Sequence, residues 1–221
     1  MSGSDRNSAE FNVQVSAGDA ELEGDLVIPE GARGIVVFAH GSGSSRFSPR
    51  NRLVASFLNE GGLATLLFDL LTPKEHEIDI RTREFRFDID LLSRRLVSTV
   101  DWLGEQPNTE AMSIGLFGAS TGAAAALITA AERPGSVAAV VSRGGRPDLA
   151  AKALPSVKAP TLLIVGGLDQ VVIQMNRDAS RQMQTEPSLE IVPGATHLFE
   201  EPGKLEEVCA LTRDWFLKFL T

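Results

Sequence analysis

The sequence predicts an α/β fold: a doubly wound, mostly parallel sheet of about eight strands, opened by an antiparallel hairpin and carrying no large lid. Three observations carry this. Two stretches that alternate apolar and polar residues come first, at 11–15 and 21–28. Nearly continuous apolar runs then recur along the chain, and helical stretches lie between them.

The opening pair is separated by Ala17-Gly18-Asp19, a turn composition, and its period of two suits strands with one face in water. The runs at 35–39, 63–67, 112–117, 137–141 and 161–165 lack alternation, as expected of strands covered on both faces. Helical stretches fall at 49–60, 83–105, 121–133 and 172–183. A last strand at 189–192 and a last helix at 204–220 close the pattern. Strand and helix alternating after an antiparallel start give parallel crossovers. In such sheets ligands bind beyond the carboxyl ends of the strands, so residues just after strands are the first candidates for chemistry.

Composition narrows the function classes. The 221 residues fit one domain over 11–221, behind a polar stretch at 1–10 that reads as a disordered tail. A formal charge of -8 without any basic run excludes a nucleic-acid-binding surface. No segment approaches the roughly 18 to 20 apolar residues that a bilayer span needs, and the N-terminus lacks the apolar centre of a secretory signal. A cytoplasmic location with no membrane partner is expected. The single cysteine, Cys209, lies in an apolar helical stretch and reads as a packing residue. The three histidines, His40, His76 and His197, are far apart and match no metal-ligand spacing, so neither a metal nor an organic cofactor is expected.

The most informative segment is Gly118-Ala119-Ser120-Thr121-Gly122, which follows an apolar run and precedes an alanine-rich helical stretch. This is the strand, sharp turn and helix that a G-x-S-x-G nucleophile elbow requires. Serine is a poor nucleophile unless a base takes its proton and a third group orients the base. His197, in the loop after the last strand, is placed to be that base. Asp169, in the turn after the 161–165 strand, is placed to be the orienting acid; the competing reading is a helix cap. The N–H of Thr121 is one expected oxyanion donor. The second is the N–H of Ser42, with Gly43 next, in the small-residue loop His40-Gly41-Ser42-Gly43-Ser44-Ser45. His40 then reads as loop support and His76 as a solvated loop residue. Arg46 and Arg143 could meet over the crevice and bind a substrate carboxylate.

The order Ser120, Asp169, His197, with Phe38-Ala39-His40-Gly41, Gly166-Gly167-Leu168-Asp169 and Gly194-Ala195-Thr196-His197, resembles the α/β-hydrolase superfamily, and within it the small dienelactone-hydrolase-like branch. Phe68-Asp69-Leu70-Leu71-Thr72 and Ser142-Arg143-Gly144-Gly145-Arg146-Pro147-Asp148 resemble the same branch. The resemblance implies a hydrolase with a Ser-His-Asp triad. It departs from dienelactone hydrolases proper, which carry cysteine where this chain has Ser120, and the departure favours ordinary ester hydrolysis. The short 141–161 segment leaves no room for a large lid and suits a small ester substrate. Thioester hydrolysis or acyl transfer would use the same residues. A ligand-binding protein without turnover is the reading from a different class.

Overall fold

A computed structural model describes residues 7–18 and 20–220. Strand β1 (Ser8–Ser16) pairs antiparallel with β2 (Glu21–Pro29), and β2 pairs antiparallel with β4 (Ala64–Phe68). Every later pairing is parallel: β4 with β3 (Gly34–Ala39), β3 with β5 (Ser113–Ala119), and then β6 (Val137–Arg143), β7 (Thr161–Gly166) and β8 (Ser188–Val192) in turn. The order across the sheet is β1-β2-β4-β3-β5-β6-β7-β8. Residues of β3, β4 and β7 are buried along their whole length, which is what their unbroken apolar runs require.

The helices described are α1 (Pro49–Glu60), α2 (Pro73–Thr82), α3 (Ile89–Leu103), α4 (Thr121–Glu132), α5 (Gln170–Ser180) and α6 (Lys204–Leu220). Helices α1 and α6 cover one face of the sheet, over a core containing Phe38, Phe117, Val141 and Phe216. Helices α3 and α4 cover the other, over Val37, Leu66, Leu116 and Ala124. The short side chains of α4 let it lie against β5. A Cβ built on Gly118 would stand 2.4 Å from the Cα of Ala123. Cys209 is buried in the α6 face, and burial pushes its thiol up to about 12, as befits a packing residue.

The structure corrects several boundaries. The 83–105 helix begins only at Ile89, capped by the Asp88 carboxylate on the N–H of Leu91 at 2.9 Å. Ahead of it stands α2, where the sequence predicts a solvated loop around His76. This helix is polar and buries only Asp79, so it has no apolar stripe to give it away. Its start is nonetheless written in Thr72-Pro73-Lys74-Glu75, a capping box with proline in the first turn. His76 is exposed on this helix rather than in a loop. Residues 8–10 belong to β1 and not to a tail. The rest of the expected tail at 1–6, like Asp19 of the first turn, lies outside the described residues. Between β6 and β7 run only two short 3-10 turns, Pro147–Ala150 and Leu154–Ser156, and no lid.

Candidate active site

Strand register brings the candidate residues to one edge of the sheet. Ala39 pairs with Gly118, Ala119 with Arg143, and Gly166 with Val192, so the carboxyl ends of β3, β5, β6, β7 and β8 finish together. Ser120 follows β5 with φ 51° and ψ -119°, a conformation that costs a non-glycine residue energy and marks an imposed turn. The turn can close only around glycine: a Cβ on Gly122 would fall 2.1 Å from the carbonyl oxygen of Ala39. Ser120 stands at the N-cap of α4, yet its side chain makes no cap hydrogen bond. Its hydroxyl is therefore not used in capping.

Asp169 answers the same question in the same way. It is the N-cap of α5 and makes no cap bond with its side chain. Its Oδ2 lies instead 2.7 Å from Nδ1 of His197. Asp169 is one-sixth exposed at the side chain and His197 about two-fifths, so the carboxylate is the more sheltered partner and the ring remains open to solvent. With Nδ1–H donating to the carboxylate, Nε2 is left as the acceptor.

The two loops are held in register. Gly167 N–H donates to Val192 O at 2.8 Å and Leu168 N–H to Ala195 O at 2.9 Å. The His197 loop is braced from behind by Glu201 accepting from Thr196 N–H and by the Arg50–Glu200 ion pair at 3.0 Å. The ring packs against Gly144, where a Cβ would come within 3.4 Å of Cε1. Gly144 adjoins Arg143, whose carbonyl accepts the Ser120 N–H at 3.2 Å. The histidine loop and the serine turn are thus built onto the same end of β6.

The oxyanion side differs from the sequence reading. Thr121 is buried, and as the first residue of α4 its N–H has no intrahelical acceptor. Ser42, however, gives its N–H to Thr121 Oγ1 at 2.9 Å. A donor engaged in this way does not point at a substrate, and the next N–H along, that of Gly43, has φ +71°. The hydroxyl of Thr121 thus has a part in shaping this loop that its place in the G-x-S-x-G pattern, which calls on its backbone N–H alone, does not signal. His40 is structural as expected: Nδ1 donates to Gly41 O at 3.0 Å and Nε2 accepts from Leu70 N–H at 3.1 Å.

The proposed meeting of Arg46 and Arg143 is corrected on the Arg46 side. Arg46 is clasped by Asp69 and Glu23, with Asp25 at 3.7 Å, and a guanidinium so surrounded by carboxylates has no call on another anion. It walls a crevice of about 220 Å³, shared with Glu23, His40, Phe47, Asp69 and His76, that borders the site without reaching Ser120, Asp169 or His197. Arg143 is buried at the end of β6, with its guanidinium 5.8 Å from the centroid of Phe117. Among the described residues no cluster of His, Cys, Asp or Glu could hold a metal ion, and no helix is long and apolar enough to cross a membrane.

Two relatives from Mycobacterium tuberculosis strains, provisionally named phosphoribosyl transferases, are 58% identical over 208 residues. Those residues are 94% of this chain but 46% of theirs, so the chain spans about half the length of the curated relatives it matches. Est1E from Butyrivibrio proteoclasticus shares the fold at a TM-score of 0.78 and 16% identity, over 94% of this chain and 98% of that one. A solved dienelactone hydrolase from Anabaena variabilis is 62% identical with a TM-score of 0.95, covering 97% of this chain and 99% of that one. The family model for dienelactone hydrolases matches residues 22–218, and the chain belongs to the dienelactone hydrolase family.

Proposed function

We propose that this chain is a serine hydrolase of the carboxylesterase type. Ser120 attacks the ester carbonyl while Nε2 of His197 takes its proton. Asp169 holds the imidazole by its Nδ1–H and stabilises the imidazolium that forms. The N–H of Thr121 and, in place of Ser42, that of Gly43 receive the oxyanion. His197 then gives its proton to the leaving alkoxide, and water activated by the same ring releases the acid from Ser120. The observation that carries this reading is the 2.7 Å Asp169–His197 bond, made by a carboxylate that leaves its own helix uncapped. A binding protein has no need of that arrangement.

Small esters with an apolar portion are the substrates this site favours. Leu168 and Leu198, next to Asp169 and His197, are exposed at 63% and 38%, and the loops around them are short. The phosphoribosyl transferase name belongs to relatives about twice as long as this chain.

Reaction with a fluorophosphonate, read by intact mass, tests the proposal. One adduct on the wild-type chain is expected, none on Ser120→Ala, and a drop in kcat on p-nitrophenyl acetate of roughly 10⁴-fold or more in that variant. An adduct that survives Ser120→Ala would assign the nucleophile elsewhere. A folded wild-type chain that takes no adduct would favour a role in binding.

A further inference from the structure

The segment after β4 contributes little to the core, and the one group that its helix buries is a carboxylate. Helix α2 buries only Asp79, while Ile80 and, past the helix, Phe87 are exposed at 61% and 57%. Asp79 is 1% exposed, and a carboxylate so placed is costly unless it is fully engaged. Every contact it makes goes to the turn that follows the helix. Oδ1 accepts the N–H of Phe85 at 2.9 Å and that of Arg86 at 3.0 Å, and Oδ2 accepts Nε–H of Arg86 at 2.6 Å. Nη2 of Arg86 donates to the Asp79 carbonyl at 2.9 Å. The turn starts at Arg83, in the left-handed region at φ 61°, and so folds Arg86 back onto α2.

This clamp presents one edge of a guanidinium to the oxyanion-side loop. Nη1, the nitrogen outside the clamp, lies so near Gly43 that an added Cβ would stand 3.1 Å from it. Apart from chain neighbours, the only heavy atoms within 4 Å of that position are Nη1 and Cζ of Arg86. Gly43 itself has φ +71°, in a turn closed by the Ser44 N–H on Gly41 O at 3.1 Å. Ser42 is fixed from the α4 side by Thr121 Oγ1. Between the loop and α2 lies a cavity of about 10 Å³, bordered by Ser42, Gly43, Asp79, Arg86 and Leu92. That is room for one water at most, so the loop can retreat only where the arginine withdraws.

We infer that Arg86 is a positioning residue: held by Asp79, its guanidinium braces Gly43 and fixes the direction of that N–H as an oxyanion donor. The donor's role rests on the esterase reading above; the brace does not. A donor aimed in advance costs no reorganisation when charge develops on the substrate oxygen, and a cation beside the same peptide favours that charge. Asp79 acts one step further back, by holding the arginine. The polar helix α2 thereby has a use that its lack of core residues does not suggest.

Kinetics on p-nitrophenyl acetate and amide hydrogen exchange of residues 41–46, both on the full chain, test the brace. Arg86→Ala should lower kcat about tenfold with KM within about twofold, because the effect falls on the transition state. Inhibition by a trifluoromethyl ketone, whose Ser120 adduct carries an oxyanion, should weaken by about the same factor. Exchange at 41–46 should quicken about tenfold while peptides of β5 and α3 stay as in the wild type. Arg86→Lys keeps the charge and stem without the fork and serves if the alanine variant does not fold; about a threefold loss of kcat is expected. Asp79→Asn, which leaves the loop untouched, should move every readout in the same direction. Exchange at 41–46 that is unchanged, or quickened equally throughout the chain, overturns the inference. So does an unchanged kcat, or a rise in KM alone, which would put Arg86 on the substrate. If the wild-type chain proves inactive on esters, exchange at 41–46 decides by itself, and failure of the esterase reading is told apart from failure of the brace.

Discussion

At the scale of single residues, side chains that the turn leaves unused are the ones available for chemistry. Ser120 and Asp169 both occupy N-cap positions, where their side chains would ordinarily bind the first N–H groups of a helix, and neither does. Thr121 is the opposite case, because its hydroxyl holds the Ser42 N–H and so sets the shape of the oxyanion-side loop. Thr121→Val should therefore lower kcat about tenfold with little change in KM, and Thr121→Ser should restore most of it. A rise in kcat/KM for the valine variant would mean instead that the hydroxyl obstructs Ser42. His40 carries a prediction about pH. Burial, only partly offset by its bond to Gly41 and the charge of Asp69, and reinforced by His76, holds its pKa below the ordinary 6.5. The unfolded chain then takes up the proton first, so stability is full above about pH 6.5 and declines as pH falls toward the folded value. The unfolding midpoint should drop between pH 7 and 5, and His40→Gln, which keeps an acceptor for Leu70, should flatten that slope. An unchanged slope would locate the effect in other groups.

At the scale of elements, α2 shows how a helix without an apolar stripe is kept in place. Thr72 Oγ1 accepts from Glu75 N–H, and the Glu75 carboxylate accepts from Thr72 N–H at 2.8 Å and from buried Arg95 of α3. One carboxylate thus starts α2 and neutralises a charge in the core. Burial raises the Glu75 pKa, but its bonds to Arg95 and Thr72 outweigh that and hold it below the usual carboxylate value. Its contribution is present above about pH 4.5 and is lost as pH falls through the folded value. Glu75→Gln should destabilise the chain by about 2 kcal/mol near pH 7, allowing for partial exposure of the pair, and by much less near pH 3. Chemical denaturation at the two pH values measures the difference; an equal loss at both would mean that charge is not the cause.

At the scale of the whole molecule, burial is graded across the sheet. Strand β3 is covered on both faces, whereas β1 is an edge strand with most of its side chains in water. Amide hydrogen exchange should follow this grading. The N–H groups of residues 35–38 should exchange only through global unfolding, and those of β1 several orders of magnitude faster. Equal protection of the two strands would show that the hairpin unfolds only with the rest of the sheet. The acidic edge formed by Glu23, Asp25 and Asp69 around Arg46 belongs to this scale too, because β2, β3 and β4 must assemble before those charges meet.

Much of this was legible in the chain itself. Unbroken apolar runs marked the buried strands, and the glycines at 118 and 122 marked a turn that admits no side chain. The order Ser120, Asp169, His197, following β5, β7 and β8, marked the candidate site, because local patterning determines which residues end a strand. What only tertiary structure decided are the pairings between distant loops. Asp169 turned to His197 rather than to its own helix, Ser42 was taken by Thr121, Arg46 was taken by the acids of neighbouring strands, and Arg143 was buried with none. Each depends on which strands lie side by side, and a partner more than twenty residues away leaves no trace in local sequence.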